Sequence, residues 1–199
     1  FKRTKYSAMK NSKNTITINQ NIIGNNKTFI IAEIGNNHNG SLETAFKMID
    51  LIAETGADCA KFQMRHLDQV YRKKALLSNG EDLGTEYIVD LLKKFELEIE
   101  DHQKLSEYCN EKGIIYLCTP WDTKSVESLQ KINVPAYKIA SADLTNIPLI
   151  DTLIKTQKPL ILSTGMSTFE ELEFTVNFLE ESKAKFVLLH CNSTYPAPF

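Results

Sequence analysis

The chain has 199 residues, of which 42% are hydrophobic and 24% charged, a globular balance that allows one sizeable core and not two. Its formal net charge is -2, and the cations near its start (Lys2, Arg3, Lys5, Lys10, Lys13) read as a solvated leader, so nothing argues for a nucleic-acid partner. The longest apolar runs are about six residues, against roughly 20 for a membrane helix, and no signal-peptide pattern is visible; both readings predict a cytoplasmic protein with no membrane partner.

Residues 1–28 are rich in Asn, Lys, Ser and Thr. Thr15-Ile-Thr-Ile-Asn19 alternates polar and apolar and Ile22-Ile-Gly24 follows, which predicts a short β-hairpin behind a loose leader. From residue 29 short apolar runs recur, at 29–34, 58–63, 114–118, 136–140, 159–162 and 186–191. Most are apolar at both parities, as strands covered on both faces are. Helical patterns separate them. Leu42, Ala45, Phe46, Ile49, Ile52 and Ala53 share one helical face, with Ser41 placed as N-cap and Gly56 as the stop. Further helices are predicted over 86–95, 100–111 (ended by Gly113), 125–131 and 148–156. Ser167-Thr-Phe-Glu170 is a capping-box pattern, opening a last helix with Leu172, Val176 and Leu179 turned inward.

Strict alternation of strand and helix implies a parallel sheet. Strand starts are mostly about 22 to 28 residues apart, as in short βα units. The exception is the polar segment 65–84, a long βα loop that is either a substrate lid or a plain surface insertion. The first βα turn, Gly35-Asn-Asn-His-Asn-Gly40, lacks the glycine fingerprint of doubly wound nucleotide folds. The predicted fold class is therefore α/β: a (β/α)8 TIM barrel of which about the first six units are present, with 1–28 as leader and hairpin and 29–199 as a partial barrel. Six units cannot close an eight-stranded barrel, which predicts open edges on the first and sixth strands. Cys59, Cys109, Cys118 and Cys191 contain no CxxC pair and read as buried thiols of a reducing compartment rather than zinc ligands.

Barrel active sites sit at the C-terminal strand ends, and those ends are polar here: Glu33 to His38, Lys61 and Gln63, Thr119, Lys138 and Ser141, Ser163, and His190 to Tyr195. Lys61 and Lys138 interrupt apolar strands, where an unpaired ammonium is prohibitive. With Thr119, Ser141 and Ser163 at the same level they suit a phosphate. The alternative is that each lysine pairs with a local carboxylate such as Glu33 or Asp143. Two barrel lysines also fit a Schiff-base aldolase. Glu33 is a candidate general base, hydroxyl acceptor or metal ligand. His38 and His190 read as core residues before ligands, and Tyr195 serves packing or substrate equally well.

Six stretches carry a family resemblance: Phe29-Ile-Ile-Ala-Glu-Ile-Gly-Asn-Asn-His-Asn-Gly-Ser41, Gly56-Ala-Asp-Cys-Ala-Lys-Phe-Gln63, Cys118-Thr-Pro-Trp-Asp122, Tyr137-Lys-Ile-Ala-Ser141, Leu162-Ser-Thr-Gly-Met166 and Leu189-His-Cys-Asn-Ser-Thr-Tyr-Pro196. In this order they resemble the sialic acid synthases, the transferases that make N-acetylneuraminate and its bacterial relatives legionaminic and pseudaminic acid. The resemblance implies a TIM barrel followed by a small antifreeze-like domain, a homodimer, and condensation of phosphoenolpyruvate with an N-acetylmannosamine-type sugar. It implies that Lys61, Thr119, Lys138, Ser141, Ser163 and Ser193 hold phosphoenolpyruvate, although some relatives carry Asn at the place of Ser193. It assigns Glu33, Asn79 and Tyr195 to the sugar, and Glu33 and Lys61 to catalysis.

The family also uses a divalent metal, manganese or magnesium, as Lewis acid on the sugar aldehyde. Its histidine ligands belong to later strands, so none is expected in this chain, and neither is the antifreeze-like domain. A chain of this length is accordingly expected to be inactive as a synthase. The competing readings are a Schiff-base or metal aldolase of a phosphorylated substrate, and a non-catalytic binding fragment.

Overall fold

The computed structural model describes residues 15–24, 27–71, 85–194 and 196, with backbone alone for 85–88. The predicted leader, most of the 65–84 segment, Asn79 and Tyr195 lie outside the described residues.

The chain opens with an antiparallel hairpin of β1 (Ile16–Ile18) and β2 (Asn21–Ile23), paired Ile18 to Asn21 across a two-residue turn. Asn19 takes φ 52 in that turn, a conformation asparagine tolerates better than most residues. Six parallel strands follow in consecutive order: β3 (Ile31–Gly35), β4 (Cys59–Met64), β5 (Ile115–Pro120), β6 (Tyr137–Ile139), β7 (Leu160–Ser163) and β8 (Phe186–Leu189). Each has a helix after it except the last, among the described residues. The helices are α1 (Leu42–Thr55), α2 (Leu67–Val70), α3 (Thr85–Phe95), α4 (Ile99–Glu111), α5 (Thr123–Lys131), α6 (Ile147–Lys155) and α7 (Phe169–Glu181). A 3-10 turn, Ser141–Asp143, precedes α6. Consecutive parallel order is the topology of a βα barrel sheet, here a half-barrel in which β3 and β8 each pair on one side. No helix among the described residues is long and apolar enough to cross a membrane.

Side-chain alternation divides the sheet into two faces. In β4, Ala60, Phe62 and Met64 join the helix-side core, packed with Ala45 and Ile49 of α1 and Leu105 of α4. Cys59 turns the other way, into a second cluster with Ile115, Leu117, Ala136 and Ile161. Ile16 and Ile18 of the hairpin complete that second cluster, and Ile18 is fully buried there. The hairpin thus closes the floor of the concave face, and the remaining concave positions, Lys61 and Gln63 among them, face the open upper end.

Ser41 caps α1 as its sequence suggests, accepting from the Thr44 N–H at 3.1 Å, and Gly56 ends it at φ 76. The capping box of α7 sits one residue later than its sequence pattern suggests. Thr168, not Ser167, accepts from the Glu171 N–H at 3.2 Å, and the Glu171 carboxylate accepts from the Thr168 N–H at 2.8 Å. Both frames read as Ser/Thr-x-x-Glu; Ser167 is instead directed back to the Gly165 carbonyl at 3.4 Å. Likewise α5 and α6 begin earlier than predicted. Asp122 accepts from the Ser125 N–H at 2.7 Å and Asn146 from the Leu149 N–H at 3.3 Å, which makes these two residues the caps.

Candidate active site

A cleft of about 290 Å³ opens at the C-terminal ends of the strands, on the concave face. Glu33, Lys61, Thr119, Lys138, Ser141, Ser163 and Ser193 all line it. Strand pairing brings them together: Glu33 lies opposite Lys61, Gln63 opposite Thr119, and Lys138 opposite Ile161, two residues below Ser163. A register shift between Glu33 and Gly35 interrupts the β3 ladder just above the acid, and pairing resumes with Gly35 opposite Phe62.

The two lysines differ in their partners. Lys61 Nζ lies 2.6 Å from Glu33 Oε2 and donates to Thr119 Oγ1 at 3.0 Å. The carboxylate alternative therefore holds for Lys61. Glu33 is not a costly buried acid, because the concave face leaves its side chain 52% exposed.

Lys138 donates to the Ile139 carbonyl at 2.8 Å and to Ser163 Oγ at 2.5 Å. None of the ion pairs among the described residues includes it. Burial, assisted by the charge of Lys61, lowers its pKa to about 8. Asp143 is not its partner. That carboxylate accepts from Asn146 Nδ2 at 3.0 Å, its second oxygen is buried without a partner among the described residues, and burial raises its pKa.

A neighbouring group went unassigned from sequence. Gln63 Oε1 accepts from the Trp121 indole N–H at 3.2 Å and from the Arg65 guanidinium, which lies 4.8 Å above the Trp121 ring. With its oxygen occupied twice, the Gln63 amide has only its N–H groups left to offer. The signal available in sequence was parity: Gln63 stands two residues after Lys61 on one strand.

The histidines stand apart from the cleft. His38 is buried and accepts from the Gly40 N–H at 3.1 Å, shaping the first βα loop. His102 packs behind the sheet 2.7 Å from the Tyr116 hydroxyl, and burial lowers its pKa to about 4. His190 is exposed. Cys59, Cys109 and Cys118 are buried, with burial pushing the last two thiols up to about 12. Cys191 is only partly buried and lines the cleft. No group of three or more His, Cys, Asp or Glu side chains among the described residues could hold a metal ion.

Residues 48–199 match the NeuB family model. The chain is 38% identical to the N,N'-diacetyllegionaminic acid synthase of Campylobacter jejuni, over 87% of this chain and 54% of that protein. It is 34% identical to the human N-acetylneuraminate-9-phosphate synthase, over 87% of this chain and 49% of that protein. Among solved structures, an N-acetylneuraminic acid (sialic acid) synthetase from Leptospira borgpetersenii in complex with citrate superposes with a TM-score of 0.80 at 35% identity, covering 92% of this chain and 61% of that one. The chain spans about half the length of the curated relatives it matches.

Proposed function

The chain belongs to the NeuB family, and on that premise we propose that its cleft holds phosphoenolpyruvate for condensation with an N-acetylmannosamine-type sugar, giving a nonulosonic acid and phosphate. One observation carries the reading: a buried ammonium with no carboxylate partner among the described residues, Lys138, shares a rim with a second ammonium and four hydroxyls. A phosphate dianion meets all of these donors, and its charge restores what burial costs Lys138. Lys61 lies between this group and Glu33, within reach of a substrate carboxylate or the departing phosphate.

In the reaction, the C2=C3 π pair of phosphoenolpyruvate forms the bond from C3 to the aldehyde carbon of the open-chain sugar, the carbonyl π bond breaks, and the aldehyde oxygen takes up a proton. Water adds at the cationic C2 and gives up a proton; the tetrahedral centre then loses its hydroxyl proton, the bond from C2 to the phosphate-bearing oxygen breaks, and phosphate leaves with a proton, giving a C2 ketone. Lys61 and Lys138 stabilise the departing charge. Glu33, half exposed and paired with Lys61, is proposed to accept the proton that the added water loses, or a hydrogen bond from a sugar hydroxyl. Asn79 and Tyr195 stay proposed sugar contacts by resemblance. A manganese or magnesium ion belongs to this reading by resemblance too, but the described residues offer no ligand set for it, so the chemistry argued from them concerns phosphoenolpyruvate. The working protein is proposed to be a cytoplasmic homodimer with an eight-stranded barrel.

A Schiff-base aldolase is the second reading, favoured by the lowered pKa of Lys138 beside Lys61. In that chemistry the Lys138 amine adds to a substrate carbonyl and water leaves. Calorimetric titration with phosphoenolpyruvate, and borohydride treatment with pyruvate, separate the two. Saturable one-to-one binding without a borohydride-trapped adduct supports the condensing reading. A trapped adduct on Lys138, or no heat of binding, contradicts it.

A further inference from the structure

We propose that Gly165 is a positioning residue for the hydroxyls of the anion cradle, required for space rather than for backbone conformation. The inference rests on the phosphoenolpyruvate reading above. Gly24, Gly35, Gly40, Gly56 and Gly113 all take positive φ, where a side chain is strained; Gly165 does not. Its backbone would accept any residue.

Its surroundings would not. A Cβ at Gly165 would lie 2.6 Å from Ser193 Oγ and 3.0 Å from Ser141 Oγ. The first separation is shorter than real Cβ contacts, so one hydroxyl or both must move. A serine hydroxyl moves by rotation about one bond. An alanine is therefore accommodated by turning the hydroxyls away, with the fold left intact.

The backbone at this point ties three rim segments together. The Gly165 N–H donates to Ser141 Oγ at 3.2 Å, which occupies that oxygen from behind and leaves its proton to be donated forward. The preceding Thr164 donates to the Leu189 carbonyl from both its N–H, at 3.1 Å, and its hydroxyl, at 2.9 Å. The end of β7 is thus fixed to the end of β8 on one side and to the turn after β6 on the other. Ser141, Ser163 and Ser193 come from those three segments and line one cleft.

Trp121 is the single tryptophan of the chain and lines the same cleft, so its fluorescence reports occupancy. The experiment titrates wild type, Gly165→Ala, Ser193→Gly and the double variant with phosphoenolpyruvate, alongside urea unfolding of each. Misdirecting one or two hydroxyls that bond to an anion lowers affinity about 10- to 100-fold. The expected result is a loss of that size in Gly165→Ala, with the alanine penalty at least threefold smaller when Ser193 is already glycine. Equal affinity of wild type and Gly165→Ala overturns the proposal and leaves the anion reading standing. A penalty unchanged in the Ser193→Gly background also overturns it, whether or not the variant is destabilised. Failure of the wild type to bind overturns both.

Discussion

Replacing Lys138 with methionine removes an ammonium that is 7% exposed and, among the described residues, bonded only to neutral oxygens, those of Ile139 and Ser163. Burial brings its pKa from 10.5 to about 8, which corresponds to about 3 kcal/mol against the charged form in the folded chain. The cost is present in full below pH 8. Between about pH 8 and 10.5 the unfolded chain keeps a proton that the folded chain has released, so stability rises with pH until the cost is gone. Methionine fills a similar volume without the charge but forfeits two hydrogen bonds of about 1 kcal/mol each. The variant is expected to be about 1 kcal/mol more stable at pH 7 and to lose the rise above pH 8 that this lysine contributes. Its affinity for phosphoenolpyruvate should fall about 100-fold, the loss of a charge-assisted hydrogen bond at the top of the usual range. Urea unfolding at pH 7 and pH 9.5, with calorimetric titration of both proteins, reads all three effects. A variant less stable than wild type at pH 7, or one that binds phosphoenolpyruvate equally well, refutes the reasoning.

Thr168→Ala removes the capping-box hydroxyl of α7 and is expected to cost about 1 kcal/mol in urea unfolding, whereas Ser167→Ala stays within about 0.5 kcal/mol; equal costs would return the box to the earlier frame. Ile18→Ala empties a fully buried position on the hairpin and should cost about 2 to 5 kcal/mol; a cost below about 1 kcal/mol would mean that the hairpin does not seal the floor. His102 is held neutral by burial, so stability should fall as pH drops from 6.5 towards about 4, by up to about 3 kcal/mol from this group. His102→Gln should flatten that acid limb, and an unchanged slope in the variant would show that the proton goes elsewhere.

Strand positions were legible because each barrel strand is a short apolar run, and in β4 and β6 that run is broken by a lysine, which an interior strand does not tolerate without purpose. Lys61 and Lys138 were found in this way, and the structure brings both to one cleft with Thr119, Ser141, Ser163 and Ser193. The partners of the lysines were not legible. Glu33 reaches Lys61 because strand pairing sets them opposite one another, while Asp143 is turned to Asn146 within its own turn. The α7 cap was ambiguous because Ser167 and Thr168 both stand three residues before a glutamate. Parity could have turned Gln63 toward the cleft, but its bond from Trp121 joins residues 58 positions apart, which no local pattern carries. Gly165 looked like any glycine after a strand, since the need for it lies in two serines from other segments.

The proposed phosphoenolpyruvate site lies at the C-terminal ends of β4 to β8. Its most direct test is an NMR titration of isotope-labelled chain with phosphoenolpyruvate, following backbone amides. Saturable shifts are expected, concentrated at Lys61, Thr119, Lys138, Ser141, Ser163 and Gly165. Shifts gathered instead at the opposite end of the sheet, around the cleft of Lys155, Lys158, Lys183 and Lys185, or no saturable shifts at all, would contradict it.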